Sequence, residues 1–389
     1  MLKYTRRCEM RLLKISVEGL MLFKEKVEID FFTEQNVMSD NTDMVFNSFG
    51  KIYTNNVISI IGINASGKTS LLKLIDFSLN LLNGEPINNI ESKDILSECQ
   101  SVEFEMVFYD DNNGICKLNT DIAIIKENDL EERFVINEET LYRKKVSQIR
   151  AKKDMFIFPD YVMVRDKSAE FLKDDISIAI SINKNNGFKI RNLIKLTNLN
   201  ILRIIGNFPR ELIQFLDSSI KKISFDQKNQ EIRLEFYDRD VISVSNPLQL
   251  EKYLSSGTIK GINIFLNAML VFEEGGYLIV DELENHFNRE IVATLVRFFM
   301  SSEVNSKGAT LIFSTHYSEL LDEFERNDNI YIVRNRGGIT VQKLYKVLQR
   351  KDIKKSEAFK SNFLEGTVPS YESYIKFKKA IINGKIREA

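Results

Sequence analysis

The chain has 389 residues, 43% of them apolar, which is enough for a sizeable core in one large domain with an insertion or in two domains. Its formal net charge is −1, so bulk charge argues neither for nor against a nucleic-acid partner. The three cysteines, Cys8, Cys99 and Cys116, follow no metal-like spacing and there are two histidines, which disfavours a disulfide framework or a zinc site and fits a reducing cytoplasm.

Residues 1–9 are polar and read as irregular, with Met10 opening the ordered part. Lys14, Glu18, Lys24 and Glu25 interrupt the first apolar stretch, which excludes a signal peptide, and no run anywhere is long enough to span a bilayer. From Arg11 to Phe32 the alternation of Leu13, Ile15, Val17 and then Val27, Ile29, Phe31 predicts two strands. Residues 33–50 read as a polar loop. Val57–Ile61 is a short buried strand, and Ser70–Ile75 begins a helix that runs to about Leu82 and ends at Asn83-Gly84-Glu85-Pro86. Residues 101–142 hold three or four short β runs, with Asp110–Gly114 as a hairpin turn. The basic segment Arg143–Lys153 reads as a solvated helix face rather than a track for nucleic acid.

Residues 167–222 read as mostly helical, from the apolar spacing of Ile201, Leu202, Ile204 and Ile205 and of Leu212, Ile213, Phe215 and Leu216. A hairpin over Ile223–Asp226 and Ile232–Tyr237 follows. Asp238-Arg239-Asp240 has the look of a nuclease's paired aspartates but is read as a turn. Ile259–Phe272 is an apolar helix, broken by Gly275-Gly276. Tyr277–Glu282 is a strand ending in two carboxylates, Ile291–Met300 an amphipathic helix, and Thr310–His316 a strand ending in a histidine. Ile330–Val333 and Thr340–Leu344 form a late hairpin around Gly337-Gly338, and the basic region from Tyr345 is helical.

Three of these stretches carry chemistry. Gly62-Ile63-Asn64-Ala65-Ser66-Gly67-Lys68-Thr69 fits the Walker A pattern in its strand–loop–helix context. Gly62 and Gly67 allow the tight turn, so that the N–H groups of Asn64, Ala65, Ser66 and Ser70 can face phosphate at a helix start. Lys68 would reach the β- and γ-phosphates of ATP, and Thr69 would offer its hydroxyl to Mg²⁺. The strand before Asp281 is expected beside the Walker A strand. Asp281 then holds Mg²⁺ as a Walker B aspartate, and Glu282 orients and deprotonates the attacking water. Leu254-Ser255-Ser256-Gly257-Thr258 precedes the apolar helix, where Ser255 or Ser256 also reads as a plain N-cap.

Walker A, Leu-Ser-x-Gly, Asp281-Glu282 and Ser314-Thr315-His316, in that order, resemble the ABC-type ATPases. Within them the chain looks most like the soluble SMC, RecF and OLD-type group, and in particular the small bacterial AAA-family ATP-binding proteins related to the OLD ATPase domain. Arg350-Lys351-Asp352 and Phe363–Pro369 are similar to their C-terminal pattern. The resemblance implies an α/β P-loop NTPase fold with a mixed central sheet, an N-terminal antiparallel β subdomain and an inserted β/helical lobe. It divides the chain into an irregular 1–9, an ATPase domain in two segments, 10–160 and 223–345, an inserted helical lobe, 161–222, and a C-terminal helical region, 346–389. It implies that Ser255, Ser256 and Gly257 contact the γ-phosphate held by another subunit, that His316 senses it, and that Gln100 is the nearest candidate for a Mg²⁺-loop glutamine. It leaves His286 and Asn288 without a role. The implied protein is a cytoplasmic ATPase acting as a homodimer or higher even oligomer on DNA, RNA or a separate effector, in phage defence or DNA maintenance. The alternative is a nucleotide-gated scaffold with little hydrolysis.

Overall fold

The structure, a computed structural model, describes residues 10–38, 42–110, 112, 114–128, 131–166, 172–182, 187–196, 201–202, 208–348, 353–364, 367 and 371–382. β1 (Arg11–Glu18) and β2 (Val27–Asp30) form the first hairpin, β3 (Val45–Phe49) and β4 (Ile52–Asn55) a smaller one. β5 (Val57–Ile61) leads into α1 (Lys68–Leu82). β6 (Ser101–Tyr109), β7 (Gly114–Asn128), β8 (Glu131–Lys145) and β9 (Tyr161–Val164) follow, then β10 (Ile190–Asn192) and α2 (Arg210–Leu216). β11 (Ile220–Asp226), β12 (Glu231–Phe236) and β13 (Ile242–Val244) precede α3 (Ser256–Glu274). The chain continues through β14 (Tyr277–Val280), α4 (Arg289–Phe299), β15 (Thr310–Thr315), β16 (Ile330–Asn335) and β17 (Ile339–Lys343) to α5 (Leu344–Val347), α6 (Lys355–Lys360) and α7 (Tyr371–Ile382).

The architecture is mixed α/β around a central six-stranded sheet in the order β10-β14-β15-β5-β16-β17. Its strands are parallel from β10 to β16, and β17 turns back antiparallel. A second six-stranded sheet, β2-β1-β6-β7-β8-β9, is antiparallel throughout. Strand periodicity assigns the two faces of the central sheet to two cores. Ile58, Ile60, Tyr277, Ile279 and Ile312 join α1 and the antiparallel sheet in one. Val57, Ile61, Leu278, Val280, Leu311 and Phe313 pack with α3 and α4 in the other. Helix α1 is therefore buried nearly all round, and Leu71, Leu72, Leu74, Ile75, Phe77, Leu79, Leu81 and Leu82 have no exposed surface. Two buried tyrosines pin the sheets together: Tyr277 Oη accepts from Leu12 N at 2.9 Å, and Tyr331 Oη accepts from Asp30 N at 2.7 Å and donates to Asp30 O at 3.0 Å.

Several expectations are corrected. Residues 33–50, read as loop, include β3, whose Val45 and Phe49 are buried. The β runs of 101–142 are longer than expected, β7 and β8 reaching 15 residues each. The basic segment Arg143–Lys153 is no helix face. Its first three residues end β8, Arg143 Nε pairs with Asp110 Oδ2 at 2.7 Å, and Lys152 Nζ donates to Thr33 O at 2.5 Å. The expected helical lobe 161–222 contains, among the described residues, one α-helix of seven residues, α2, and its strand β10 joins the central sheet beside β14. Ile201 and Leu202 are not helical, and Ile204 and Ile205 lie outside the described residues, as do residues 1–9, Arg350-Lys351-Asp352 and part of Phe363–Pro369. Asp238-Arg239-Asp240 lies at bends after β12, with Arg239 Nε 3.2 Å from Asp238 Oδ1 and its guanidinium 4.5 Å from the Phe236 ring.

Candidate functional site

The site forms where β5, β15 and β14 end. The strand order corrects one expectation: β14 does not lie beside β5, because β15 runs between them and pairs with both. Its C-terminal residues therefore come between the Gly62–Gly67 turn and Asp281-Glu282. Strand order depends on crossovers rather than on local pattern, so the sequence does not carry it.

The turn is built on backbone conformation. Gly67 has φ +101° and Ala65 φ +58°, the left-handed region that glycine enters without penalty. A Cβ on Gly62 would meet Ser66 Oγ and the Val333 carbonyl. Asn64, Ala65 and Thr69 are exposed, whereas Ser66 and Lys68 are buried and Ser70 is half-buried on the first turn of α1. Lys68 folds back over the turn, its Nζ 3.1 Å from Gly62 O, 3.1 Å from Ile63 O and 3.3 Å from His316 Nδ1. Burial holds its ammonium below the usual lysine pKa, and Asp281, Glu284 and Glu282 push the other way.

Thr69 Oγ1 donates to Asp281 Oδ2 at 2.6 Å, and Ser314 Oγ donates to the other oxygen of that carboxylate. Ser314 Oγ also accepts from Glu282 N at 2.7 Å. His316 stands between the two halves, its Nε2 3.6 Å from Glu282 Oε1. Its backbone N–H donates to Glu284 Oε1. The structure thus brings Lys68, Thr69, Asp281, Glu282 and His316 into one network.

Of Ser255, Ser256 and Gly257, the last lies against the loop 281–288. A Cβ on Gly257 would meet the His286 carbonyl, and Ser255 Oγ caps α3 by accepting from Thr258 N at 3.0 Å. Asn288 has a structural task, capping α4 through a bond from Glu290 N at 2.9 Å. Gln100 is exposed just before β6 of the antiparallel sheet, and its carbonyl accepts from Ile124 N at 3.3 Å.

Sequence reasoning gave no role of their own to four residues. Ser314 is the hub of the Asp281–Glu282 contacts. Glu284 is 4% exposed, and its Oε2 has no partner among the described residues. The Asn285 amide holds Glu282 Oε2. Lys260, on α3, is 5% exposed and donates to Glu282 O at 3.0 Å. Its one sequence signal is a lysine set in a mainly apolar run, Ile259 to Leu266. Burial lowers its pKa from the usual 10.5 to about 8, opposed by Glu284, Glu282 and Asp281.

The residues present fit a magnesium nucleotide. The Ser66 hydroxyl, 2% exposed, has no partner among the described residues and lies inside the turn that the glycines shape. Thr69 Oγ1 and the Asp281 carboxylate are the hard oxygen donors that Mg²⁺ takes.

Fold and site together define a mixed α/β protein with a glycine-rich turn, a buried lysine and paired carboxylates at the carboxyl ends of neighbouring strands. No family model matches the sequence, and no curated protein matches it. Among solved structures it is similar to the recombination mediator protein RecF with ATP, of the RecFOR pathway, at 11% identity and a TM-score of 0.37, over 86% of this chain and 99% of that one. That likeness is distant. Among the described residues, no helix is long and apolar enough to cross a membrane.

Proposed function

We propose that the chain is an ATP-hydrolysing switch of ABC type, in which two copies close head to tail around ATP and Mg²⁺. The observation that carries this reading is the network from Lys68 and Thr69 through Asp281 and Ser314 to Glu282 and His316. Bound Mg·ATP would supply the phosphoanhydride and a cation to offset its charge. The turn from Gly62 to Gly67, with Ser70 behind it, would cradle the phosphates, and Lys68 would swing from its carbonyl partners onto them. Thr69 and Asp281 would hold the metal, directly and through water. Glu282 would take the proton of the attacking water, and His316, already within reach of both Lys68 and Glu282, would sense the terminal phosphate. Ser255, Ser256 and Gly257 would complete the site of the other copy. The state of the closed pair would be read by DNA, RNA or a separate effector, in defence against phage or in DNA maintenance.

Phosphate release with Mg·ATP, with and without DNA, tests the reading. Wild type should turn over. Glu282→Gln keeps the shape and removes the base, so it should bind ATP, lose about 10²–10⁴-fold in turnover and accumulate as the closed dimer. Normal turnover in Glu282→Gln would assign water activation to another residue.

A further inference from the structure

The loop 281–288 is held in a conformation its residues do not favour. Glu282 has φ +45° and His286 φ +68°, and a non-glycine residue stays in that region only when its surroundings impose it. For Glu282 one source is visible. Its carbonyl, turned by the positive φ, accepts from Lys260 Nζ at 3.0 Å. That nitrogen also lies 5.4 Å from the Phe287 ring centroid, so the cation touches both ends of the loop. Lys260 stands three residues after Gly257 on α3, on the same helical face. Gly257 itself packs so closely on the His286 carbonyl that no side chain fits there. A buried lysine among Asp281, Glu282 and Glu284 is a costly choice if packing alone were needed, since methionine would fill the space without a charge.

We propose that Lys260 is a positioning residue that locks the first turn of α3 to the 281–288 loop, so that Ser255–Gly257 and Glu282 of one chain move as a single body. The inference rests on the ATPase reading of Glu282. It adds a route of coupling: a phosphate engaged by Ser255–Gly257 in the neighbouring copy's site fixes the orientation of Glu282 in this one. The two sites of a closed pair then report on each other through α3.

The test is Lys260→Met, with Lys260→Arg as the variant that restores a cationic donor. In the full-length protein, four quantities are measured: ATP affinity, single-turnover hydrolysis, melting temperature, and backbone amide exchange across residues 281–288. Lys260→Met should keep ATP affinity and melt no lower than wild type, yet lose about ten- to a hundredfold in hydrolysis, the effect of a misplaced base. Its 281–288 amides should exchange faster, and Lys260→Arg should recover part of both. Unchanged exchange and unchanged hydrolysis would overturn the proposal. So would a loss of hydrolysis matched by lost affinity or a lower melting temperature, which marks a binding or purely structural lysine. If Glu282→Gln hydrolyses like wild type, Glu282 is not the base, and amide exchange in Lys260→Met still judges the lock by itself.

Discussion

Two lysines define the site at the scale of single residues, and each yields a measurement. Lys68 Nζ is held by two carbonyls and a ring nitrogen, ligands that a phosphate would replace at little cost in geometry. Lys68→Ala should therefore lower ATP affinity about a hundredfold or more, the scale of a lost buried charge-assisted contact, with an unchanged far-ultraviolet spectrum. Titration with a fluorescent ATP analogue checks it. Lys260 gives the pH dependence. Its folded pKa, about 8, lies below the 10.5 of the unfolded chain, so between those values the unfolded state binds more protons and stability rises with pH. Below pH 8 the full penalty applies, on the order of 3 kcal/mol for the shift from 10.5 to about 8. Lys260→Met should thus melt above wild type near neutral pH, with the gap closing as pH climbs from about 8 to 10.5. A gap that does not change with pH would mean that burial does not perturb this lysine.

At the scale of elements, stability concentrates in α1 and in the two tyrosine bridges. Phe77 is fully buried against Phe104, ring centroids 5.4 Å apart, so Phe77→Ala should cost about 3–5 kcal/mol. Tyr331→Phe removes the single hydroxyl that serves both the N–H and the C=O of Asp30. It should cost about 1–3 kcal/mol in denaturant unfolding, because those groups stay buried without a partner. The sequence revealed the elements whose signal is local. Gly62–Thr69, the apolar run into Asp281-Glu282 and the run into His316 each state their own strand or helix, and β5, α1, α3, α4, β14 and β15 lie within a few residues of the expected bounds. It misled where tertiary context decides. The apolar spacing at 212–216 supports only the two turns of α2, and β10 is a strand because β14 offers it an edge. Lys260 and Glu284 were illegible because a charged residue reads as solvent-facing until its neighbours are known.

At the scale of the whole molecule, the central claim is that a working site needs two chains. Within one chain the hydroxyl of Ser255 caps its own helix, so a variant that spoils a trans contact must leave that cap intact. Ser255→Asp does so: aspartate caps as well as serine and suits the helix dipole, but it sets a carboxylate against phosphate. Lys68→Ala, by contrast, keeps a sound α3 and lacks the lysine proposed to bind phosphate. In the proposed head-to-tail pair, a heterodimer of the two variants would have one intact composite site, while either homodimer would have none. The decisive measurement is phosphate release from Lys68→Ala, from Ser255→Asp, and from the two after subunit exchange. The account predicts no activity in either protein alone and partial recovery on mixing. Wild-type activity of Ser255→Asp by itself would contradict it, leaving Ser255 as a helix cap and the composite site without support.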